Sequence, residues 1–257
     1  MAQPVDKELV RTRYRRSLPR YDGAAAVQRA MARSLVAALR SLGRRDFPRV
    51  LEIGCGTGLL TAQIARRLLV REYFANDVNE ECGPRLDKVL GPGRGGELRF
   101  LAGDVERLEQ LPAGLDLVVS NAVFHWLEDP EALLGRLAHA LTDGGCLAFS
   151  TFGPENLLEI GELTGLRLAY RSCDEIRQAL AQDFRLRHVS ERRVRLRLDS
   201  PRHVLEHLRR TGANGLARTA WTRGTLRAFE EQYRRRYSLP GGAVSLSYHP
   251  LLFVAER

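Results

Sequence analysis

Three glycines at alternate positions, Gly54, Gly56 and Gly58, directly follow a short apolar run at residues 49–53. Glycine adopts the left-handed backbone conformations of tight turns, and its missing side chain lets a ligand approach the main chain. The spacing is GxGxG, which differs from the GxGxxG turn that sets a dinucleotide pyrophosphate on a helix N-terminus. The pattern therefore predicts a ligand-binding turn that is not a nicotinamide site, with an ordinary strand-to-helix loop as the alternative.

Two aspartates stand near the ends of later apolar runs. Asp77 lies at the end of the run 73–78, about twenty residues beyond the glycine turn, from where a carboxylate can reach a ribose diol. The alternative is that Asp77 caps the helix that follows. Asp104 follows the run 98–102, and together with Val105 it can bracket an adenine edge or simply form a turn. With the glycines, these residues predict a nucleoside site.

A fourth apolar run at 115–120 leads into polar and aromatic residues, among them Asn121 and His125. Reacting groups of doubly wound folds lie at the carboxyl ends of parallel strands. We therefore expect a second substrate to pass over this segment, beside Asn121 and His125. For His125 the alternative is an ordinary surface histidine that takes no part in the chemistry.

The elements that must position these residues alternate along the chain. The predicted strands are residues 49–53, 73–78, 98–102, 115–120, 146–151, 189–198 and 244–255. The predicted helices are residues 21–42, 59–69, 80–90, 130–141, 155–163, 172–182, 201–210 and 222–237, and the predicted glycine-rich loop is 91–96. Such alternation predicts an α/β fold in which helices cover both faces of a mostly parallel, doubly wound sheet of seven strands.

The composition is that of an ordinary globular protein with an excess of positive charge. The 257 residues include 40 Lys and Arg against 31 Asp and Glu, which leaves a net charge of +9. A basic surface attracts nucleic acid, anionic membranes or acidic proteins, although an arginine-rich genome produces the same balance. The four cysteines form no CxxC pair, so neither a zinc site nor a disulfide framework is indicated.

We expect a single domain in the cytoplasm. The N-terminus has no apolar signal core, and no stretch approaches the ~18 apolar residues of a membrane-spanning helix. A length of 257 residues suits one α/β domain with inserted helices. We divide it into a basic leader and helix at 1–45, a nucleoside-binding core at 46–152, a remaining strand with inserted lid helices at 153–243, and a final strand at 244–257.

The acidic and glycine positions together resemble those of the class I methyltransferases. That pattern has an acidic residue before GxGxG, another at the end of the second strand and an Asp after the third, which Glu52, Asp77 and Asp104 match. The resemblance implies S-adenosyl-L-methionine as the cofactor, and the strand order 3-2-1-4-5-7-6 with an antiparallel seventh strand. It also implies that Glu52 supports the glycine loop, which lines the methionine end. Asp77 then takes the ribose hydroxyls and Asp104 the adenine amine.

Longer segments resemble a narrower family, the malonyl-[acyl-carrier-protein] O-methyltransferases of biotin synthesis. The segments that carry this likeness are residues 13–17, 21–22, 26–28, 120–126, 152–157, 207–216 and 246–251. The chain departs from the family in having Tyr14 in place of Phe, a more basic leader, and a compact segment after Asn156. The Asn-Pro-Pro-Tyr signature of enzymes that methylate amide or base nitrogens is absent.

The narrower resemblance implies methyl transfer to the free carboxylate of a malonyl thioester. A carboxylate with a pKa near ~4 is already ionised at neutral pH, so no general base is required and the enzyme's task is positioning. The residues predicted to bind the cofactor are Gln28, Glu52, Gly54, Gly56, Gly58, Asp77, Asp104, Val105 and Asn121, and no metal is expected. The residues predicted to contact the acceptor are Tyr21, Gln28, Asn121, His125 and Trp221. Of these, Tyr21, Asn121 and His125 are the predicted catalytic residues.

The resemblance also implies a partner, an acidic acyl carrier protein that bears the malonyl group, with malonyl-coenzyme A as the other possible carrier. Arg209, Arg210 and the run 234–236 are the candidate docking residues, unless they form ordinary solvated helix faces. Another small-molecule methyltransferase remains the nearer alternative function, and an RNA methyltransferase the more distant one. No RNA-binding module is recognisable and the arginines lack interleaved aromatics, so neither nucleic acid nor membrane is an expected partner.

Overall fold

The computed structural model describes residues 5–90, 96–213 and 221–257. Most of the predicted loop at 91–96 and the last part of the family-like segment 207–216 therefore lie outside the described residues. Contacts divide the chain into two compact units. The large unit comprises Ala26–Thr151, Ser172–Glu191 and Leu251–Arg257, and the small unit comprises Met1–Ala25, Phe152–Arg171 and Arg192–Pro250. The organisation as one domain stays a prediction.

Strands of the described residues form two sheets. They are β1 (Arg49–Ile53), β2 (Glu72–Asp77), β3 (Glu97–Ala102), β4 (Leu115–Asn121), β5 (Leu141–Phe152), β6 (Arg185–Glu191), β7 (Val194–Leu198), β8 (Val244–Tyr248) and β9 (Pro250–Glu256). The large unit holds a seven-stranded sheet in the order β3-β2-β1-β4-β5-β9-β6, while β7 and β8 pair separately. Neighbours from β3 to β5 are parallel, and β9 is antiparallel to β6. With β9 as the seventh strand of this sheet, the order implied by the class I resemblance is confirmed.

Helices flank the strands in sequence. The α-helices of the described residues are α1 (Lys7–Ser17), α2 (Tyr21–Ala24), α3 (Ala26–Ser41), α4 (Leu59–Arg67), α5 (Gly83–Leu90), α6 (Pro130–Ala140), α7 (Leu158–Thr164), α8 (Cys173–Leu180), α9 (Pro201–Arg210) and α10 (Arg223–Tyr237). None of the helices in the described ranges is long and apolar enough to cross a membrane.

The core of the large unit lies against the central strands. β1 and β4 are buried along almost their whole length, which is typical of parallel strands covered on both faces. Phe149 on β5 stacks on Phe124 with ring centroids 4.1 Å apart and on Phe253 of β9 at 5.2 Å. Because β1 to β4 are parallel neighbours, their carboxyl ends lie side by side at one edge of the sheet, where the predicted site residues follow them.

Two predicted strands are each divided between the two sheets. The predicted strand 244–255 consists of β8 and β9, which separate at His249, and the predicted strand 189–198 consists of parts of β6 and β7. The buried His249 is held at this break, because its carbonyl accepts from the Gly153 N–H at 2.8 Å and its Nδ1 from the Glu155 N–H at 3.1 Å. The prediction of two continuous strands was wrong, since residue periodicity does not report which partner each half of a run meets.

The N-terminal segment is more helical than predicted. The basic leader forms α1, whose N-cap Asp6 accepts a 2.9 Å hydrogen bond from the Leu9 N–H. The predicted helix 21–42 is broken at Ala25, which leaves helical geometry with φ −82° and ψ 45°. The helix in the leader was not predicted, because its many arginines mask a weak apolar stripe. The break at Ala25 was not predicted, because alanine carries no helix-ending signal.

A buried polar cluster holds α7 and α10 to β8 within the small unit. The Glu159 carboxylate of α7 accepts from the Ser247 N–H at 2.9 Å and from the hydroxyls of Ser247 and Ser245 at 2.8 and 3.3 Å. Tyr233 of α10 donates its hydroxyl to the Ser245 carbonyl at 2.7 Å. These bonds satisfy polar groups that would otherwise destabilise a buried interface between helices and strand.

Positive charge is concentrated in the small unit. Its segments contain 21 Lys and Arg against 10 Asp and Glu, whereas the segments of the large unit contain 19 against 21. An arginine-rich genome would raise the positive charge of both units alike. The segregation therefore favours a local origin for the charge excess.

Candidate active site

The glycine turn joins β1 to α4 in left-handed backbone conformations. Gly54, Gly56 and Gly58 have φ values of +70°, +55° and +84°, which L-residues with side chains rarely adopt. The N–H groups of Gly54 and Cys55 both donate to the Asn76 carbonyl, at 2.9 and 3.0 Å. These two hydrogen bonds hold the turn against the end of β2.

Close packing adds a second reason for glycine in this turn. A Cβ built on Gly54 would lie 2.3 Å from Cγ2 of Val123, and one on Gly58 would lie 2.9 Å from Cγ2 of Val89. The segment after β4 therefore packs directly on the glycine turn. This contact brings the residues after β1 and those after β4 into one site.

Glu52 lies behind the turn and is almost fully buried. Its Oε2 accepts from the Thr61 hydroxyl of α4 at 2.6 Å and from the Tyr73 hydroxyl of β2. Burial raises the pKa of Glu52 to about 7, against the effect of these two donors. Glu52 thus ties together the elements on both sides of the glycine turn.

Asp77 connects the end of β2 to the glycine turn. One carboxylate oxygen accepts from the Gly56 N–H at 2.9 Å and the other from the Asn79 N–H at 2.9 Å. Asp77 is buried, and this burial raises its pKa although the two N–H donors oppose the rise. The N-cap of the short 3-10 helix Glu80–Cys82 is Asn79 rather than Asp77, so Asp77 does not occupy the capping position of the alternative interpretation.

Asp104 and Val105 follow β3 at the same edge of the sheet. The Gly103 N–H donates to the Asp77 carbonyl at 2.9 Å, which holds this loop beside the end of β2. Asp104 accepts from the Glu106 N–H at 3.1 Å, and its other oxygen lies 3.7 Å from Nε of Arg107. The side chain of Val105 is buried. The turn geometry of Asp104 is therefore present together with a partly exposed carboxylate.

Asn121 is held at the end of β4 by two neighbours. Its Oδ1 accepts from the Ser150 hydroxyl at 2.7 Å, and its Nδ2 donates to the Gln28 carbonyl at 3.2 Å. Ala122 has a φ of 59°, an unusual conformation for a residue with a side chain. Its N–H donates to the Ser150 carbonyl at 2.8 Å, which supports this strained position.

His125 lies in the short 3-10 helix Phe124–Trp126. The Thr151 hydroxyl is 3.4 Å from its Nδ1, and its ring centroid is 4.8 Å from that of Trp126. Burial lowers the pKa of His125 to about 3, because a protonated ring would carry its positive charge where water cannot solvate it. His125 is therefore neutral at physiological pH.

Oε1 of the buried Gln28 side chain, in the large unit, has no hydrogen-bond partner among the described residues. Buried polar groups are normally paired, and an unpaired one indicates a missing partner such as a ligand or water. A ligand rich in hydroxyl, amine and carboxylate groups, as S-adenosyl-L-methionine is, supplies such partners.

The structure brings most of the predicted site residues together, but not all. Those in the large unit are Gln28, Glu52, Gly54, Gly56, Gly58, Asp77, Asp104, Val105, Asn121 and His125. Tyr21 and Trp221 belong to the small unit. Tyr21 is buried edge-on against Tyr14, with ring centroids 5.1 Å apart. Trp221 is 45% exposed and packs on Phe229 at 4.9 Å.

Sequence reasoning missed the residues that hold the site from behind. Thr61, Tyr73 and Ser150 make the hydrogen bonds described above, and Asn76 donates from Nδ2 to the carbonyls of Leu101 and Gly103 at 2.8 and 2.9 Å. Polar residues within otherwise apolar strands were the available signal, because a buried strand position seldom carries one. No group of three or more metal-binding side chains occurs within the described ranges.

Comparisons with known proteins identify this arrangement. A family model described as a methyltransferase domain matches residues 51–147. The malonyl-[acyl-carrier protein] O-methyltransferase of Chlorobium luteolum is 42% identical over 252 residues, with 98% of this chain and 95% of that protein covered. The protein of the same name from Porphyromonas gingivalis is 36% identical, with 98% of this chain and 96% of that protein covered. The one from Haemophilus influenzae is 32% identical, with 98% of this chain and 95% of that protein covered.

Solved structures share the fold at low sequence identity. A putative methyltransferase from Bacillus halodurans has a TM-score of 0.64 at 15% identity, covering 86% of this chain and 97% of that one. Magnesium protoporphyrin IX methyltransferase from Synechocystis with bound S-adenosylhomocysteine has a TM-score of 0.54 at 19% identity, covering 89% and 82%. These structural similarities show that this chain shares its α/β fold with solved methyltransferases.

Proposed function

Because this chain belongs to the malonyl-[acyl-carrier protein] O-methyltransferase family, we propose that it methylates the free carboxylate of a malonyl thioester early in biotin synthesis. It is an S-adenosyl-L-methionine-dependent methyltransferase. The observation that carries the proposal is the 42% identity over 98% of the chain. Such likeness favours this reaction over other small-molecule methyl transfer and over RNA methylation.

The residues present fit the cofactor. We assign the glycine turn to the methionine end, Asp77 to the ribose hydroxyls, and Asp104 with Val105 to the adenine. The unpaired Oε1 of Gln28 is a candidate acceptor for the amino group of the methionine moiety. When bound, S-adenosyl-L-methionine supplies an electrophilic methyl group on a sulfonium cation.

The protein's contribution to this reaction is positioning. The acceptor carboxylate is ionised at neutral pH, so no proton has to leave it. His125, neutral because of burial, is suited to orient a substrate oxygen and not to move a proton. Asn121, fixed by Ser150 and by the Gln28 carbonyl, offers an amide of set orientation. Near-attack geometry and exclusion of water then account for the rate.

Tyr21 and Trp221 remain predicted contacts of the acceptor. Tyr21 is buried beside Tyr14, while Trp221 presents nearly half of its surface to solvent at the start of α10. Tyr21 stays a predicted catalytic residue, and Trp221 stays a predicted contact of the acceptor.

The small unit is the proposed docking surface for an acidic carrier protein. Its excess of arginine supplies the complementary field. Within the described residues, Arg209, Arg234 and Arg235 are exposed and form no ion pair, but Arg234 donates to the Gly242 carbonyl at 3.4 Å. Arg236 instead bonds Glu162 at 2.9 Å, and Arg210 lies 3.8 Å from Glu206. Of the predicted arginines, Arg209 and Arg235 are therefore the better candidates for docking the carrier protein. Malonyl-coenzyme A is the smaller alternative substrate.

We place the reaction in the cytoplasm. All of Cys55, Cys82, Cys146 and Cys173 are free thiols, as expected in a reducing compartment. Burial raises the pKa of Cys55 and Cys82 well above the usual range of a thiol, so these two are structural and not nucleophilic.

Incubation with methyl-labelled S-adenosyl-L-methionine tests the proposed reaction. Malonyl-carrier protein should gain one labelled methyl, which mass analysis locates as a methyl ester. Acetyl-carrier protein should remain unlabelled, because it offers no nucleophilic carboxylate oxygen. Equal labelling of both thioesters would exclude transfer to the free carboxylate and support another small-molecule methyltransferase.

A further inference from the structure

The loop that follows β3 is folded into a tight turn by Asp104. The Asp104 carbonyl accepts from the N–H groups of Arg107 and Leu108 at 2.9 and 3.1 Å, and its carboxylate accepts from the Glu106 N–H at 3.1 Å. These bonds satisfy the N–H groups of three residues. The remaining carbonyls of the turn lie outside the ladders of helices and strands, so each needs a partner elsewhere.

One half-buried arginine of α6, Arg136, supplies partners for three of these carbonyls. Its Nη1 donates to the carbonyls of Glu106 and Val105 at 2.9 and 3.3 Å, and its Nη2 donates to the Leu108 carbonyl. A guanidinium presents its donors in a fixed, planar fork, so it holds several acceptors in one arrangement. Asp104 therefore holds the N–H groups of the turn, and Arg136 holds its carbonyls.

The turn holds α6 in return. The carboxylate of Glu106 accepts from the Asp129 N–H at 2.7 Å and from the Glu128 N–H at 3.0 Å. Asp129 is the N-cap of α6, and Arg136 lies about two turns further along that helix. The loop and the helix are thus joined twice, by a carboxylate of the loop and by a guanidinium of the helix.

The same turn carries both residues assigned to the adenine. Asp104 is its first residue, and Val105, the second, is buried in a core cluster with Leu133 and Leu137 of α6. A loop outside regular secondary structure has its position set by contacts such as those of Arg136. A displacement of the turn would move the Asp104 carboxylate away from its hydrogen-bond partner, and such contacts are sensitive to shifts of about 1 Å.

We propose that Arg136 is a positioning residue for cofactor recognition, because it fixes the turn 104–108 so that the Asp104 carboxylate meets the adenine amine. This rests on the proposed assignment of Asp104 and Val105 to the adenine. Arg136 acts through Asp104 and does not itself touch the base. The three carbonyl partners distinguish Arg136 from a solvated arginine on a helix face.

Calorimetry with two ligands tests this role without turnover. The probes are S-adenosylhomocysteine and S-inosylhomocysteine, in which an oxygen replaces the adenine amine. Wild type should bind the adenine form about 10- to 100-fold more tightly, because the Asp104 carboxylate accepts from an amine and repels a carbonyl oxygen. Arg136→Met keeps an apolar stem without donors, so it should weaken binding of S-adenosylhomocysteine about tenfold and lose most of that preference. An equal loss on both ligands, or no loss, would overturn the proposal.

Two further variants separate positioning of the turn from support of the fold. Arg44→Met is the matched control, because Arg44 donates to the carbonyls of Asp46 and Gly144 at 2.9 and 3.4 Å and to Asp116 at 3.1 Å, at the opposite edge of the sheet. It should lower the free energy of unfolding and keep the preference for the adenine form. Arg136→Lys keeps the charge but replaces the fork with one ammonium group, so it should fold and still lose part of the preference.

The variants and the wild type contradict different statements. If Arg136→Lys binds both ligands as wild type does, or if Arg44→Met loses the preference as well, the role of Arg136 is refuted. Equal binding of both ligands by wild type would overturn the adenine assignment of Asp104 and this proposal with it, while the proposed methyl transfer would stand. If wild type does not bind S-adenosylhomocysteine at all, the proposed function itself fails.

Discussion

The Gly56 N–H donates a 2.9 Å hydrogen bond to the carboxylate of Asp77, 21 residues further along the chain. The residue assigned to the ribose thereby also holds the turn assigned to the methionine end. Both halves of the proposed cofactor site therefore depend on one buried carboxylate. Asp77 accepts these hydrogen bonds most strongly in its ionised form, although burial raises its pKa.

Replacing Asp77 with Ala should weaken binding of S-adenosylhomocysteine by roughly 1.5 to 3 kcal/mol, since it removes a charge-assisted contact. The change also leaves the N–H groups of Gly56 and Asn79 without their acceptor. Calorimetry measures the loss. The matched control is Asp116→Ala, which removes contacts to the Arg49 N–H at 2.9 Å and to Arg44 at 3.1 Å at the opposite edge of the sheet. Similar losses of affinity in both variants would mean that Asp77 acts only through stability.

Replacing Gly54 with Ala should lower cofactor affinity at least tenfold, because the new methyl group would collide with Val123. Gly144→Ala is the control, since Gly144 has a nearly equal φ of +72° but no atom within 4 Å of the added Cβ. Gly144→Ala places a side chain at a similarly positive φ without a collision, so it shows how much backbone strain alone lowers the folding stability. Affinity should recover partly in Gly54→Ala/Val123→Ala. Equal affinities of the two single variants would contradict close packing on the turn.

Glu52 should make stability fall as pH rises from about 4.5 to about 7. Its folded pKa is raised, so the folded state holds a proton that the unfolded state has already released in this interval. Above pH 7 the buried charge costs on the order of 3 kcal/mol. Glu52→Gln keeps an acceptor for Thr61 and Tyr73 and should remove this loss. Chemical denaturation at pH 5 and pH 8 compares the two proteins, and an unchanged difference between the pH values in the variant would contradict the raised pKa.

His125 should contribute no ionisation to the pH dependence of kcat between pH 6 and 9, because its lowered pKa of about 3 lies outside that interval. His125→Ala should reduce kcat by roughly two- to tenfold through loss of one positioning contact. The shape of the pH profile should be the same as that of wild type. A limb near pH 6.5 that vanishes in the variant would show that His125 titrates during turnover.

Charge reversal at Arg209 should lower kcat/KM for malonyl-carrier protein more than for malonyl-coenzyme A. Its field acts over ~8 Å at physiological ionic strength, so added salt should reduce the difference. Arg66→Glu makes the same charge change at an exposed residue of α4 in the large unit and serves as the control. Parallel losses on both substrates, or equal effects of the two variants, would place carrier docking elsewhere.

Sequence alone determined the class of fold and the edge of the sheet where the predicted site residues lie. Alternating apolar runs specify parallel strands, and glycine or aspartate at their carboxyl ends specifies tight turns and ligand contacts. Both signals are local, so they can be read without knowing how the chain folds back. The locations of Gly54, Asp77 and Asp104 at strand ends followed from these signals, whereas the order of the strands was implied by the class I resemblance.

Only the tertiary structure decided which groups meet across strands. The bonds from Gly56 to Asp77 and from Tyr73 to Glu52 each join residues 21 positions apart, and no local pattern encodes such a pair. Likewise, the halves of the predicted strand 244–255 separate because β8 and β9 pair with different strands. The concentration of positive charge in the small unit likewise depends on which segments pack together. Hydrogen bonding and burial are properties of neighbours in space, and the order of strands in the sheet chooses those neighbours.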